Sequence, residues 1–111
     1  MQPGDLIVSV TVAEPEVFVT VAGEIDMYTV GRLATAIEEQ LPDHPDRIVV
    51  DLSGVTLCDS MGLGTLVLLN RSAQRARSRL ILRRPSANLR RLLEITGVGN
   101  ALDVEDAPAG A

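Results

Sequence analysis

The stretch DLSGVTLCDSMGLG, residues 51–64, decides the fold, because it joins an apolar strand pattern to an apolar helix pattern. The run Ile48-Val49-Val50 stands before it and has the character of a buried strand, while Met61 to Leu69 follows helical spacing. Between the two patterns lie residues that favour turns, caps and unusual backbone angles: Ser53, Gly54, Asp59, Ser60 and Gly62. We predict that the strand ends at Leu52, the chain turns, and a helix begins near Asp59 or Ser60, where α/β proteins usually place functional groups.

Strand and helix patterns alternate on both sides of this stretch. Predicted strands cover residues 6–13, 17–21, 47–52, 79–83 and 101–104, and predicted helices cover about 29–40, 60–77 and 88–95. The first turns of the helix at 60–77 are apolar nearly all round, which predicts burial, and Gly97 is expected to end the last helix. The order β-β-α-β-α-β-α-β predicts a single α/β domain over residues 4–104. Its sheet is mixed but mostly parallel, with an N-terminal hairpin and about three helices, and residues 105–111 are predicted to form a disordered tail.

Composition sets limits on the class of protein. Hydrophobic residues make up 46% of the chain and aromatic residues only 2%, so the core must be aliphatic. No apolar run approaches the roughly 18 residues that span a bilayer, and the N-terminus lacks the pattern of a signal peptide. We expect a cytoplasmic protein, monomeric or weakly dimeric, that does not bind a membrane. One cysteine, Cys58, and one histidine, His44, make a protein metal site unexpected, and no cofactor is expected.

The charge is distributed unevenly along the chain. Residues 1–60 contain eleven acidic side chains and two arginines, whereas residues 61–93 contain eight arginines and no acid. The basic segment is open to two interpretations: a solvated helix face, or a docking surface for an acidic partner. Nucleic-acid binding is the weaker interpretation, because the net charge is −5 and no aromatic side chain in the segment could stack on a base.

Residues 58–64 do not match common catalytic motifs. A nucleophile elbow needs Gly-x-Ser-x-Gly, and Cys58 stands where the first glycine belongs. The only histidine, His44, lies in a predicted loop among acidic residues and is given no catalytic role. Gly62-x-Gly64 is weak evidence of phosphate binding, because the chain has no lysine and a P-loop requires one. Cys58 is interpreted as a small buried side chain in preference to a reactive thiol.

Ser60 is open to two interpretations. It could be the N-cap of the helix, with its hydroxyl oxygen accepting a first-turn N–H. It could instead be a regulated serine that accepts a phosphate, since a helix N-terminus offers free N–H groups and a favourable dipole. A partner surface fitted to the neutral serine would then face a dianion beside Asp59. Composition and spacing do not decide between the two.

Three short motifs resemble the STAS domain family, and most of all its bacterial anti-sigma factor antagonists. They are Gly23-Glu24-Ile25-Asp26, then residues 50–55 (VDLSGV), then Asp59-Ser60-x-Gly62-Leu63-Gly64. The resemblance extends over roughly residues 4 to 104. It implies a protein that is not an enzyme and that, when unphosphorylated, binds an anti-sigma factor and so releases a sigma factor.

The resemblance also implies how such a protein is switched off. The anti-sigma factor is itself an ATP-dependent serine kinase, and it phosphorylates the serine after Asp in the Asp-Ser-x-Gly motif, which is Ser60 here. A metal-dependent serine/threonine phosphatase reverses the modification. The partner surface expected from the resemblance comprises Asp26, Asp59, Ser60, Met61, Gly62 and Gly64. Many relatives have a second Ser or Thr where this chain has Met61, which removes an alternative acceptor and adds an apolar contact.

Two other functions remain open at this point. The chain could be a STAS scaffold or transporter-associated module that uses the fold without phosphorylation. An enzymatic function, such as nucleotide hydrolysis, is the third possibility. The sequence offers it little support, because it contains no lysine, no usable histidine and no cluster of metal ligands.

Overall fold

The computed structural model describes residues 4–97 and 101–105. The predicted tail, residues 105–111, lies outside the described residues except for Glu105, which ends the last strand. The strands are β1 (Leu6–Ala13), β2 (Glu16–Ile25), β3 (Arg47–Cys58), β4 (Arg79–Arg83) and β5 (Asp103–Glu105). The helices are α1 (Val30–Glu38), α2 (Ser60–Arg75) and α3 (Ala87–Thr96), with a short 3-10 turn at Leu41–Asp43. The predicted element order and α/β class are confirmed. Gly97 ends α3 with a left-handed backbone, φ 75°, as predicted.

The five strands form one sheet in the order β1-β2-β3-β4-β5. β1 pairs with β2 in the antiparallel sense, and every other neighbouring pair is parallel. Alternate residues of the strands pack against the helices in one aliphatic core. Its fully buried members include Val19, Val21, Ile25, Ile48, Val50, Leu52, Leu80 and Leu82 from the strands and Leu33, Ile37, Leu66 and Leu89 from the helices. The mixed, mostly parallel sheet predicted from the sequence is therefore confirmed.

The predicted end of the third strand at Leu52 is wrong, because β3 continues through the supposed turn to Cys58. Its pairing with β2 shifts register twice, between Thr20 and Ala22 and again between Gly23 and Glu24. Each shift places an extra residue on β3, which is the effect of a β-bulge. The buried positions after Leu52 are consequently Val55 and Cys58, three residues apart, so the alternation that marks a strand is lost.

Helix α2 buries only one side, so the predicted burial of its first turns all round is also wrong. Its buried residues are Gly62, Leu63, Leu66, Leu69, Asn70 and Ala73. Met61 and Leu68 keep 52% and 59% of their surface exposed. In the part of the chain that the structure describes, no helix is long and apolar enough to cross a membrane.

Six of the eight arginines of the basic segment form two groups, one on the sheet and one at the end of α2. On the sheet, Arg83 pairs with Glu105, Arg79 with Asp103 and Arg84 with Asp51. Arg47 of β3 joins them through Glu16 and Glu105. The pairs made with Asp103 and Glu105 join the short strand β5 to β3 and β4, so these arginines lie on the sheet and not on a solvated helix face. The second group, Arg71, Arg75 and Arg77, lies at the end of α2, and its side chains are exposed.

Asp51 connects the middle of β3 to the chain beyond β4. One carboxylate oxygen accepts the Ser53 N–H at 2.9 Å, and the other accepts a hydrogen bond from the Arg84 guanidinium. Burial alone would raise the pKa of the Asp51 carboxyl, but the hydrogen bonds from Ser53 and Arg84 bring that pKa below its ordinary value of 3.8. The folded state therefore favours the ionised carboxylate.

We expect Asp51→Asn to lower the free energy of unfolding at pH 7 by about 0.5–1 kcal/mol, the range of a partly exposed ion pair. A lowered folded-state pKa contributes stability above the unfolded value, and this contribution disappears as the pH falls through the folded value. The difference between wild type and variant should therefore narrow as the pH falls towards and below the ordinary value of 3.8. Urea unfolding at pH 7, 5, 4 and 3 would measure it. Asp103→Asn, in a more exposed pair, should change stability less, and a pH-independent difference at Asp51 would contradict the prediction.

Candidate functional site

Two neighbouring parallel strands end together at the edge of the sheet where α2 begins. Ile25 of β2 and Cys58 of β3 are paired in register. The Asp59 N–H donates to the Ile25 carbonyl at 3.1 Å, which continues the pairing one residue past the strand. Asp26 and Asp59 are the next residues after these two strand ends. The structure thus brings two of the predicted site residues to the same edge, which we call the switch edge and define as residues 26–29 and 57–62.

The N-cap of α2 is Asp59, and the interpretation of Ser60 as the cap is wrong. The Asp59 backbone is extended, and its Oδ1 accepts the Gly62 N–H at 2.8 Å. Ser60 is the first helical residue, and its side chain is exposed. Its hydroxyl has no hydrogen-bond partner among the residues that the structure describes. Because Asp59 performs the capping, Ser60 is not needed to begin the helix and remains accessible.

The two glycines of the motif have different surroundings. A Cβ on Gly62 would lie 2.7 Å from Ile25 Cγ2 and 3.1 Å from Cys58 Sγ, so the first turn of α2 touches the strand ends there. A Cβ on Gly64 would have no atom within 4 Å. Gly62 is therefore required for packing, whereas Gly64 lies on the exposed side of the helix.

Asp26 has a structural role that the sequence did not indicate. Its Oδ1 accepts the N–H groups of Tyr28 and Thr29 at 2.9 and 3.0 Å, so it caps the turn that leads into α1. In return, Thr29 Oγ1 accepts the Asp26 N–H at 3.0 Å and donates to the Glu24 carbonyl at 2.7 Å. Thr29 is 4% exposed, and these bonds satisfy its buried hydroxyl. Asp26 thereby fixes the loop beside Ser60.

The switch edge carries several exposed apolar side chains. It was not predicted from the sequence that they form a group. Met27 and Tyr28, in the loop after Asp26, are 58% and 86% exposed, and Met61 beside Ser60 is 52% exposed. Leu57, next to the end of β3, is 43% exposed. The available signal was the pair Met27-Tyr28 placed between two polar turn residues, where a loop normally carries polar side chains. Apolar side chains concentrated at one edge are typical of a protein-binding surface.

Neither Cys58 nor His44 acts as a reactive group at the switch edge. Burial, and to a lesser extent the charge of Asp59, raise the pKa of the Cys58 thiol to about 11, so it stays protonated near neutral pH. The interpretation of Cys58 as a small buried side chain is confirmed by its 4% exposure. His44 is exposed, and its Nδ1 lies 2.9 Å from the carbonyl oxygen of Ala76, just past the end of α2 opposite Ser60.

Comparison with known proteins places this geometry in a family. The family model described as "Mlab, STAS domain" matches residues 8–104. An anti-sigma-B factor antagonist of Listeria monocytogenes is 36% identical over 86 residues, which are 78% of this chain and 75% of that protein. The crystal structure of an anti-sigma factor antagonist from Mycobacterium paratuberculosis superimposes with a TM-score of 0.77 at 28% identity, covering 94% of this chain and 88% of that one.

The fold is also that of SpoIIAA, a Bacillus cell fate determinant whose structure is known in the phosphorylated form. The two chains share 21% identity and a TM-score of 0.68, over 88% of this chain and 90% of SpoIIAA. The chain belongs to the STAS domain family. Within that family, the relatives named above are antagonists of anti-sigma factors.

We expect Gly62→Ala and Gly64→Ala to change stability in opposite directions. The new methyl group at residue 62 would press on the buried Ile25, and overpacking of this kind costs about 1–3 kcal/mol. At residue 64 the methyl group meets no atom, and replacing glycine inside a helix stabilises by up to about 1 kcal/mol. Thermal and urea unfolding of both variants would test this. A Gly62→Ala variant as stable as wild type would show that the first turn of α2 is not closely packed.

Proposed function

We propose that this protein is an anti-sigma factor antagonist whose binding is controlled by phosphorylation of Ser60. In the unphosphorylated state it binds an anti-sigma factor that is also a serine kinase, and the sigma factor is released. The phosphorylated form does not bind, and a metal-dependent phosphatase restores the binding form. The protein acts by occupying its partner and performs no chemistry of its own.

One observation carries the proposal: Ser60 is an exposed and structurally dispensable hydroxyl within an apolar binding edge. Asp59 supplies the cap, so nothing in the helix depends on the Ser60 side chain. Met61 adjoins it in sequence, and Leu57, Met27 and Tyr28 belong to the same edge. A hydroxyl that only capped a helix would be expected to bond within the first turn, and here Asp59 makes that bond instead.

Phosphorylation at this position is compatible with an intact fold. The Ser60 hydroxyl oxygen attacks the γ-phosphorus of ATP, the bond from that phosphorus to the bridging oxygen breaks, ADP leaves, and a base of the kinase takes the hydroxyl proton. The new phosphate lies in the first turn of α2, where the N–H groups of Ser60 and Met61 have no intrahelical acceptor. The helix dipole also favours an anion there. The modified residue should therefore stabilise α2 and not disrupt it.

The same phosphate is incompatible with a bound partner. It adds a charge of about −1.5 to −2 at pH 7. Asp59 precedes it in the chain, and Asp26 lies on the same sheet edge. A partner that packs against Met61 and Leu57 would have to desolvate this concentration of negative charge, which opposes association. The fold thus tolerates the modification that the interface does not.

SpoIIAA provides support of a different kind. It has this fold and its structure is known in the phosphorylated form, so a domain of this architecture can carry the modification and remain folded. The Listeria monocytogenes relative provides the functional parallel, because it is named as an antagonist of an anti-sigma factor.

Ser60→Asp should abolish binding to the cognate anti-sigma factor, whereas Ser60→Ala should bind as wild type and resist phosphorylation. The expected loss is about 100-fold or more in Kd, since like charges opposed at an interface cost several kcal/mol. Titration calorimetry with purified anti-sigma factors would measure binding. Intact mass and site mapping after incubation with ATP would measure phosphorylation.

Two controls make this experiment decisive. Ser9→Asp places the same charge on an exposed serine of β1 and should bind normally. The melting temperature of Ser60→Asp should equal or exceed that of wild type, because a carboxylate at the start of a helix is favourable. Wild-type binding that Ser60→Asp leaves intact would instead favour a STAS scaffold that works without phosphorylation.

A further inference from the structure

Five exposed residues form one continuous stripe along α2, starting beside Ser60. They are spaced by three, four, three and four positions, which places them on one face of the helix. This α2 stripe consists of Met61, Gly64, Leu68, Arg71 and Arg75, all of them exposed. It lies opposite the buried side of α2, which carries Leu63, Leu66 and Leu69. Its first residue belongs to the switch edge, and its last residue ends the helix.

The stripe has an apolar half and a cationic half. Met61 and Leu68 are more than half exposed, and Gly64 between them leaves the helix backbone open to close approach. Arg71 and Arg75 lie about 16 and 22 Å along the helix axis from Ser60, from the rise of 1.5 Å per residue. A partner that lies along the whole stripe would therefore contact apolar side chains at one end and arginines at the other.

Folding does not account for the two arginines. Within the described residues, Arg79, Arg83 and Arg84 of the basic segment make ion pairs on the sheet, whereas Arg71 and Arg75 make none. Helix α2 contains no acidic residue between Ser60 and Arg75. Like charges four residues apart destabilise a helix, so the Arg71–Arg75 spacing is unfavourable for α2 alone.

The helix dipole explains only part of this arrangement. A cation in the last turn of a helix is favourable, which accounts for Arg75. Arg71 lies a full turn earlier, where the dipole effect has largely decayed. An exposed leucine one turn before it, Leu68, is also unexplained by packing. An interaction surface accounts for both residues.

We propose that the α2 stripe is a second part of the surface that docks the anti-sigma factor kinase, and that it selects a partner with an acidic surface. The partner would place apolar side chains on Met61 and Leu68, and carboxylates against Arg71 and Arg75. This proposal rests on the proposed function, because it assigns the stripe to the partner that reads Ser60. The continuity of the stripe with the switch edge favours that partner, because one docked molecule that reaches Ser60 would also cover the start of the stripe.

In this proposal, Arg71 and Arg75 act mainly on the rate and the orientation of association. Partly exposed charges at the rim of an interface mainly raise the association rate and make it sensitive to salt. The rest of the chain is acidic, with a net charge of −5, so an acidic partner would otherwise be repelled. The two arginines give such a partner one attractive approach, which orients it along α2 with its active site towards Ser60.

Arg71→Glu separates a folding role from a binding role. It places a carboxylate four residues before Arg75, in the orientation that stabilises a helix, so the melting temperature should stay the same or rise. Binding should weaken. We expect the association rate with the purified kinase to fall about tenfold at low salt, and its dependence on salt to flatten. Leu68→Ala should raise the dissociation rate about tenfold, the size expected for loss of an apolar contact near an interface centre.

Surface plasmon resonance of the full chain at two salt concentrations would test both variants. Arg91→Glu is the matched control, an exposed arginine on α3, and it should bind as wild type. If Ser60→Asp abolishes binding while Arg71→Glu and Leu68→Ala leave both rates unchanged, the stripe is outside the interface and this inference fails alone. If the wild-type chain binds no anti-sigma factor, the proposed function fails as well.

A different result would assign the stripe to a second copy of this chain. If the wild-type chain associates with itself in a salt-dependent way, and Arg71→Glu loses this association while it still binds the kinase, the proposal is overturned.

Discussion

The contact between the first turn of α2 and the end of β2 is the constraint on which the rest of the site depends. The Asp59 N–H bonds to the Ile25 carbonyl, and Gly62 approaches the same residue so closely that a methyl group would not fit. This contact fixes where α2 begins and which way it points. It also leaves Ser60 on the outer side of the turn, because Asp59 and Gly62 are the residues that contact the strand ends. The exposed face of α2 follows from the same orientation.

Local pattern predicted the elements whose limits are marked in the sequence. The bounds of β1 and β4 were predicted to the residue, because each is a short apolar run with clear ends. Glu14-Pro15 follows β1, and Arg79 and Arg83 flank the apolar middle of β4. In β3 the two bulges move the buried positions from alternate residues to every third residue after Leu52. Pairing with residues of β2 that lie more than 30 positions earlier produces those bulges, so no window of local sequence contains the information. The exposure of Met61 and Leu68 has a similar origin, since it depends on which side of α2 meets the sheet.

The sequence predicted which residues lie near one another in the candidate site, but it did not predict which of them have a structural role. The motifs indicated that Asp26, Asp59 and Ser60 lie at one edge, and the structure brings the strand ends that carry them into register. Aspartate and serine are almost equally good caps, so the sequence could not decide which of two adjacent residues caps α2. Backbone geometry decides it: Asp59 is extended and Ser60 is already helical. Likewise, Asp26 fits a partner surface by resemblance, while its bonds to Tyr28 and Thr29 give it a structural role as well.

The arginines show the same separation of fold from function on a larger scale. Those on β4 and beside it pair with carboxylates of β3 and β5, which adds ion pairs to the backbone pairing of the edge strand. Those on α2 neutralise nothing within the described residues. At the start of α2, Asp59 maintains the helix while Ser60 is left free to change. At the start of α2 and among the arginines, the side chains that stabilise the fold differ from those that are exposed to a partner. A change of charge on the exposed face of α2 can therefore alter binding while the sheet and the helix remain intact.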